Sequence, residues 1–290
     1  GPGLSLTDMV AIWSCGGAVD LDNLSQLRQL VGKGVAAAEI GLRIRTPVSP
    51  ADSDGPGLQW SRFGVDPADP ELHDLLKAGD LRVTRLHVHA GELASPRRVT
   101  SLVDLLLSCR RVFPDVTTLN LGGGLASLYA HRPTARRAWS LVSEALAGRG
   151  VKLVVEPGAL LTSLAGYLVT SVLAVGRRPD GRRFYTVDAS GWNLFAWAPP
   201  RIAAVSPQRE DGYEVADVAG STCYEQDYLA RGVQMPALEV GDRVIFARAG
   251  AYVSSMARVM HGVPAPVELL INGDEVVTCD DEAAVPRGRG

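Results

Sequence analysis

The chain has 290 residues, 46% of them hydrophobic, with 29 lysines and arginines against 32 aspartates and glutamates and a formal net charge of −3. That is ample apolar material for a sizeable core in one or two domains, and it provides no basic footprint for a polyanion, so nucleic acid is excluded as an expected partner. No apolar run approaches the ~18 residues that span a bilayer, so a membrane is excluded as well.

In chain order, MVAIWSC (9–15) is a short apolar run and reads as the first strand. Asp22 stands before NLSQLRQLV as the N-cap of a helix, and VAAAEIGLRIRT (35–46) is the next strand. From Pro47 to Gly57 the chain is rich in Pro, Asp and Gly, which reads as an exposed, mobile loop. PELHDLLKAGD (70–80) is a helix, VTRLHVHAG (83–91) a strand, RRVTSLVDLLLSCRRVF (97–113) a long amphipathic helix and TTLNLGGG (117–124) a strand. TARRAWSLVSEALAGRG (134–150) is a helix stopped by Gly148 and Gly150, and VKLVVEPG (151–158) is a fifth strand.

From about Gly176 the alternation gives way to short strands, RRFYTVDAS, YEVADVAGS, DRVIFARAG and PVELLING, separated by the turn sequences PDG, EDG, VGD and NGD. The expected division is therefore residues 1–175 as a β/α layer and 176–290 as an all-β domain, with a polar, frayed tail DDEAAVPRGRG. Cys15, Cys109, Cys223 and Cys279 are scattered without CxxC spacing, which argues against a zinc site or a disulfide framework; no metal is expected, and a reducing cytoplasm is the expected setting.

The most informative stretch is TLNLGGGL (118–125), a buried-type strand ending in three glycines, followed about thirty residues later by a second strand ending in a carboxylate, VVEPG. Glycines Gly122, Gly123 and Gly124 after a strand and before a helix leave backbone N–H groups free to approach an anion, which points to a bound phosphate. An isolated GGG reads more readily as a plain flexible turn with no ligand; its place after a buried strand and before a helix is what favours the phosphate.

The order strand, GGG, helix, strand, EPG resembles the pyridoxal-phosphate-dependent decarboxylases of the alanine racemase-like fold, the group holding diaminopimelate and ornithine decarboxylases. LHVHAGE (86–92), VDASGWNLF (187–195), GSTCYEQD (220–227) and AGAYVSSM (249–256) resemble further motifs of that group in the same order, and SRFGV (61–65) resembles its Ser-Lys-Phe-Gly segment with arginine for lysine. The resemblance implies an α/β fold, a partial pyridoxal-phosphate-binding (β/α)8 barrel followed by an all-β C-terminal domain. It also implies decarboxylation of an amino acid or amino-acid derivative, and a homodimer with shared active sites.

Carried over by the resemblance, Glu156 pairs with the pyridine nitrogen, His89 stacks on the ring, and Gly122 to Gly124 with Gly158 hold the phosphate. Arg43 lies near the cofactor, Tyr252 reaches the phosphate across the dimer interface, and Cys223 returns a proton to the carbanion in the neighbouring subunit's site. Each has a plainer reading from the residues alone: Glu156 a surface or capping carboxylate, one of His87 and His89 a satisfied core imidazole, Arg43 a strand-edge cation, Cys223 a small buried apolar residue, Tyr252 a packed aromatic.

Several departures fall at functional positions. Glu92 replaces a phosphate-binding serine, Ala159 an arginine, and Tyr224 an acidic residue that would recognise a distal amine. The Schiff-base lysine of the family has no counterpart: Lys33, Lys77 and Lys152 are the chain's three lysines, and each stands in a dull context. A Gly-Pro start that reads as a protease scar, with a first match at about the fourth barrel strand, leads to the expectation that the first three βα units are absent. A catalytically inactive binding or regulatory module of the same fold is the alternative to a decarboxylase.

Overall fold

The computed structural model describes residues 1–35, 39–47, 59–195, 200–208 and 212–278. Two compact units follow one another in the chain, Gly1–Leu161 and Thr162–Gly290. Cys279, the tail and residues 48–57 of the expected loop lie outside the described residues.

The first unit runs α1 (Leu6–Ser14), β1 (Asp20–Leu21), α2 (Leu24–Gly32), β2 (Glu39–Arg43), α3 (Pro70–Ala78), β3 (Arg82–His87) and α4 (Pro96–Arg110). It continues through β4 (Thr118–Asn120), α5 (Ala126–Tyr129), α6 (Arg132–Leu146), β5 (Lys152–Val154) and α7 (Ala159–Thr162). The five strands pair in parallel in the order β1-β2-β3-β4-β5. One register row is all leucine, Leu21, Leu42, Leu86, Leu119 and Leu153, each paired with the next. Four of the five are wholly buried, and with about 1.5–3 kcal/mol for each fully buried leucine this row is the spine of the core.

Helix starts follow local chemistry. Asn23 Oδ1 accepts from Gln26 N at 3.0 Å to begin α2, Asp69 caps α3 with Pro70 in its first turn, and Ser95 Oγ accepts from Arg98 N at 3.2 Å to begin α4.

The expected strand MVAIWSC is a helix. Ser5 and Asp8 form a reciprocal cap, Asp8 N donating to Ser5 Oγ at 3.2 Å and Ser5 N to Asp8 Oδ2 at 3.0 Å, and Met9 is the one residue of α1 that is buried. The first strand is instead Asp20–Leu21. Asp22 is not a cap; Asn23 takes that role, which frees Asp22 for the pairing described below.

The second unit contains β6 (Tyr167–Arg177), β7 (Arg183–Val187), α8 (Gly191–Leu194), β8 (Arg201–Ser206), β9 (Tyr213–Ala219), β10 (Tyr228–Pro236), β11 (Arg243–Ala247) and the hairpin β12 (Leu269–Asn272) and β13 (Glu275–Thr278). Six strands form one sheet in the order β10-β9-β7-β6-β11-β8, antiparallel except where β7 lies parallel to β9. Its core gathers Tyr185, Val187, Ala216, Val218, Val244 and Phe246. The boundary expected at 175/176 moves to Leu161/Thr162, because β6 pairs with β7 and β11 and so belongs to this sheet. No described helix is long and apolar enough to cross a membrane.

Candidate active site

In a parallel sheet the strands all end on one edge, so residues distant in sequence meet there. One position beyond the leucine row the register aligns Arg43 with His87, His87 with Asn120 and Asn120 with Val154. Successive residues face opposite sides of a sheet, so a row of leucines on one side is followed by a polar row on the other. Two residues back, Asp20, Gly41 and Arg85 share that polar face. A Cβ on Gly41 would fall 1.8 Å from Asp20 Oδ1; the glycine makes room for the Arg85 Nε–Asp20 Oδ1 contact at 2.9 Å.

Of these, Asp20, Arg43 and His87 line a cavity of about 400 Å³ together with Asp22, His89 and Glu156. Arg43 Nη1 donates to Asp22 Oδ1 at 3.0 Å, and its guanidinium lies 4.5 Å from the centre of the Phe63 ring. His87 sits between two carboxylates, Nδ1 3.5 Å from Asp20 Oδ2 and Nε2 3.8 Å from Glu156 Oε1. Burial nonetheless holds the His87 imidazole below its ordinary value, outweighing those two carboxylates. Its buried Nε2 has no hydrogen-bond partner among the described residues.

Glu156 follows β5 and stands half exposed at the cavity, and Asn120 fixes it: Nδ2 donates to Glu156 Oε1 at 2.8 Å while Oδ1 accepts from Gly122 N at 2.8 Å. His89 Nδ1 accepts from Gly123 N at 3.0 Å, which places the proton of the neutral ring on Nε2. The three glycines are packed against their neighbours. A Cβ on Gly122 would meet His89 Nδ1 and Val88 O at 2.7 Å, one on Gly123 would meet Glu156 O at 2.8 Å, and one on Gly124 would meet Gly91 O at 2.1 Å. Beside this cradle Glu92 Oε2 accepts from Ser127 N at 3.1 Å. Gly158 takes a positive φ of 34° just before α7.

Of the residues singled out from sequence, Arg43, His89, Gly122, Gly123, Gly124, Glu156 and Gly158 all fall at or beside the C-terminal ends of the parallel strands. Asp20, Asp22, Arg85 and Asn120 were missed. The available signal was a polar or charged residue inside an otherwise apolar strand, as in TLNLGG and VTRLHV. Among the described residues lining the cavity there is no lysine.

Cys223 and Tyr252 belong to the second unit. Cys223 is exposed in the turn from Gly220 to Asp227, whose centre is the buried Asp227 carboxylate: it accepts from Thr222 Oγ1 at 2.6 Å, Thr222 N at 3.2 Å and Trp192 N at 3.0 Å. A Cβ on Gly220 would lie 2.2 Å from Asp227 Oδ2, so the tight turn requires glycine there. Tyr224 packs on Trp192 with ring centres 4.6 Å apart. Tyr252 has a φ of 64° and is 41% exposed.

The family profile described as "Pyridoxal-dependent decarboxylase, C-terminal sheet domain" matches residues 36–250. The chain belongs to this family. It is 31% identical over 249 residues to the diaminopimelate decarboxylase of Deinococcus radiodurans, covering 81% of this chain and 63% of that protein. It is 28% identical over 278 residues to that of Archaeoglobus fulgidus, covering 88% of this chain and 65% of that one. The chain thus spans just under two thirds of the length of these curated relatives. Among solved structures, diaminopimelate decarboxylase from Helicobacter pylori complexed with L-lysine superposes with a TM-score of 0.74 at 22% identity, over 94% of this chain and 73% of that one. The family fold expected from sequence, a parallel β/α layer followed by a β-domain, is the fold observed.

Proposed function

We propose that this chain supplies the cofactor-holding groups of a pyridoxal-phosphate-dependent decarboxylase acting on an amino acid. The observation that carries the reading is Glu156, oriented by Asn120 at a cavity that His87 and His89 also line. The residues fit the cofactor: the glycine cradle has no room for side chains, and a buried imidazole nitrogen at the cavity lacks a partner. Bound there, pyridoxal phosphate would supply an electron sink for the charge left when carbon dioxide departs.

In this reading the Glu156 carboxylate holds a proton on the pyridine nitrogen, and the Asn120 amide keeps that carboxylate aimed. His89 presents its ring, steadied by Gly123 N–H. Arg43, kept in place by Asp22 and Phe63, is a cation in the cavity wall. Gly122, Gly123, Gly124 and Gly158 form the phosphate end, from which the Glu92 carboxylate must withdraw, since two anions repel in a partly dry site.

Cys223 as proton donor and Tyr252 as a phosphate contact, both provided by a second copy in a homodimer, complete the proposal; their exposure supports their meeting another chain. The names of the relatives support an amino-acid substrate, and Tyr224 packed against Trp192 favours a larger or less charged head group than a second amino-acid end.

The test compares the chain with its Glu156→Gln variant for pyridoxal phosphate binding by visible absorbance and for carbon dioxide release from a panel of amino acids. The variant is expected to bind within several-fold of the parent and to lose turnover by about a thousandfold or more. Equal turnover in both overturns the assignment. Failure of the parent to bind the cofactor overturns it too, in favour of a binding or regulatory module of the same fold.

A further inference from the structure

Cys223 does not stand alone on its turn. Its Sγ lies 3.4 Å from Nδ1 and 3.5 Å from Nε2 of His261, a residue 38 positions later in the chain. The sulfur thus faces the imidazole about midway between its two nitrogens, and rotation of the exposed ring is what aims one nitrogen's lone pair at it.

The approach is built by the backbone. His261 adopts a φ of 57°, in the left-handed region, and Gly262 follows at 70°; the segment thereby reverses just where the imidazole is presented. That segment is tied to α8, with Arg258 N donating to Asn193 O at 3.0 Å, Asn193 Nδ2 to Met260 O at 3.2 Å, and Arg258 Nη2 to Trp192 O at 2.7 Å. The Cys223 turn is tied to the same short helix through Asp227, which accepts from Trp192 N. Thiol and imidazole are thus positioned from two directions by one four-residue helix. The side chains themselves remain exposed, open to a reactant.

We propose that Cys223 and His261 form a base-assisted thiol, with His261 as the proton-exchange partner of Cys223. Against a soft electrophile the S–H bond breaks, its proton passes to the facing imidazole nitrogen, sulfur bonds to the electrophilic carbon and the leaving group departs with its electron pair. In the decarboxylase reading, on which this extension rests, the same pair runs in reverse. The Cys223 thiol gives its proton to the substrate carbon, and the sulfur is reloaded through His261, which exchanges with solvent. The other ionisable groups on the elements that make the pair are Tyr224, Glu225 and Asp227 on the turn and Arg258 on the His261 segment. Asp227 is consumed by the turn, and Arg258 lies over Trp192 at 4.7 Å.

The probe is iodoacetamide, limiting, on the whole chain without cofactor or substrate, with modification of Cys223 and of Cys15, which is also exposed, followed by peptide mass mapping. At pH 7 Cys223 is expected to react about tenfold faster than Cys15, and His261→Asn to bring the two within about twofold. Equal rates for the two cysteines in the unaltered chain, or an advantage that survives His261→Asn, overturns the proposal. Because no cofactor is needed, these outcomes do not depend on whether the chain decarboxylates anything.

Discussion

The parallel-sheet cavity and the Cys223 turn are assembled by opposite means. The cavity draws residues from the ends of four of the five strands, with Asn120 of β4 holding Glu156 from behind, and their relative heights are set by register, from Asp20 opposite Gly41 through Arg43 opposite His87 to His87 opposite Asn120. The turn draws on eight consecutive residues and one buried carboxylate, with Asp227 satisfying three donors at once. The first arrangement should tolerate the loss of any one side chain better than an intrusion on its backbone, and the second should fail when its single hub is removed.

The largest expected effect tests the backbone half of that contrast. Gly124 has a φ of 77° and no space for a Cβ within 2.1 Å of Gly91 O, so Gly124→Ala should cost about 3 kcal/mol or more, from strain and from overpacking. Urea unfolding followed by tryptophan fluorescence would show it, and a loss under about 1 kcal/mol would mean the cradle is softer than described. Next, Asp227→Ala should cost about 2–4 kcal/mol by stranding the Thr222 and Trp192 donors. It should also raise protease nicking between Gly220 and Asp227, a change that Gly124→Ala should not produce. Equal nicking in the two variants would erase the distinction between the regions.

The smallest effect concerns pH. Burial lowers the His87 pKa in the folded chain, so the unfolded state takes up the proton first. The resulting stability is fully present above the unfolded value of about 6.5 and is lost as pH falls through the lower folded value. Unfolding midpoints measured from pH 8 downward should decline below about 6.5, and His87→Gln should flatten that decline.

Much of the fold was legible because its signals are local. TTLNLGGG and VKLVVEPG are apolar, β-rich and punctuated by glycine, and both are strands. MVAIWSC carried no such punctuation, and a seven-residue apolar run fits helix and strand alike; the Ser5–Asp8 cap lying just ahead of it was the deciding signal. In the site, Glu156 and the glycines stood out because their neighbours are distinctive. Asn120 and Asp20 did not, since their importance lies in cross-strand register, and a linear reading does not contain it. His261 was invisible for the same reason: it comes to Cys223 only through the bonds of α8.

Gly166 and Gly250 approach each other so closely that a Cβ on Gly250 would lie 2.0 Å from Thr162 O and one on Gly166 2.3 Å from Gly250 N. Each therefore occupies the volume that the other's side chain would need, and neither steric conflict is relieved by changing the partner. For a lineage diverging under selection for folding, that makes the joint a fixed point. The strand β6 on one side and the segment bearing Tyr252 on the other can drift in sequence, but the two glycines keep them at one separation, and with it the place at which Tyr252 is offered to whatever it meets.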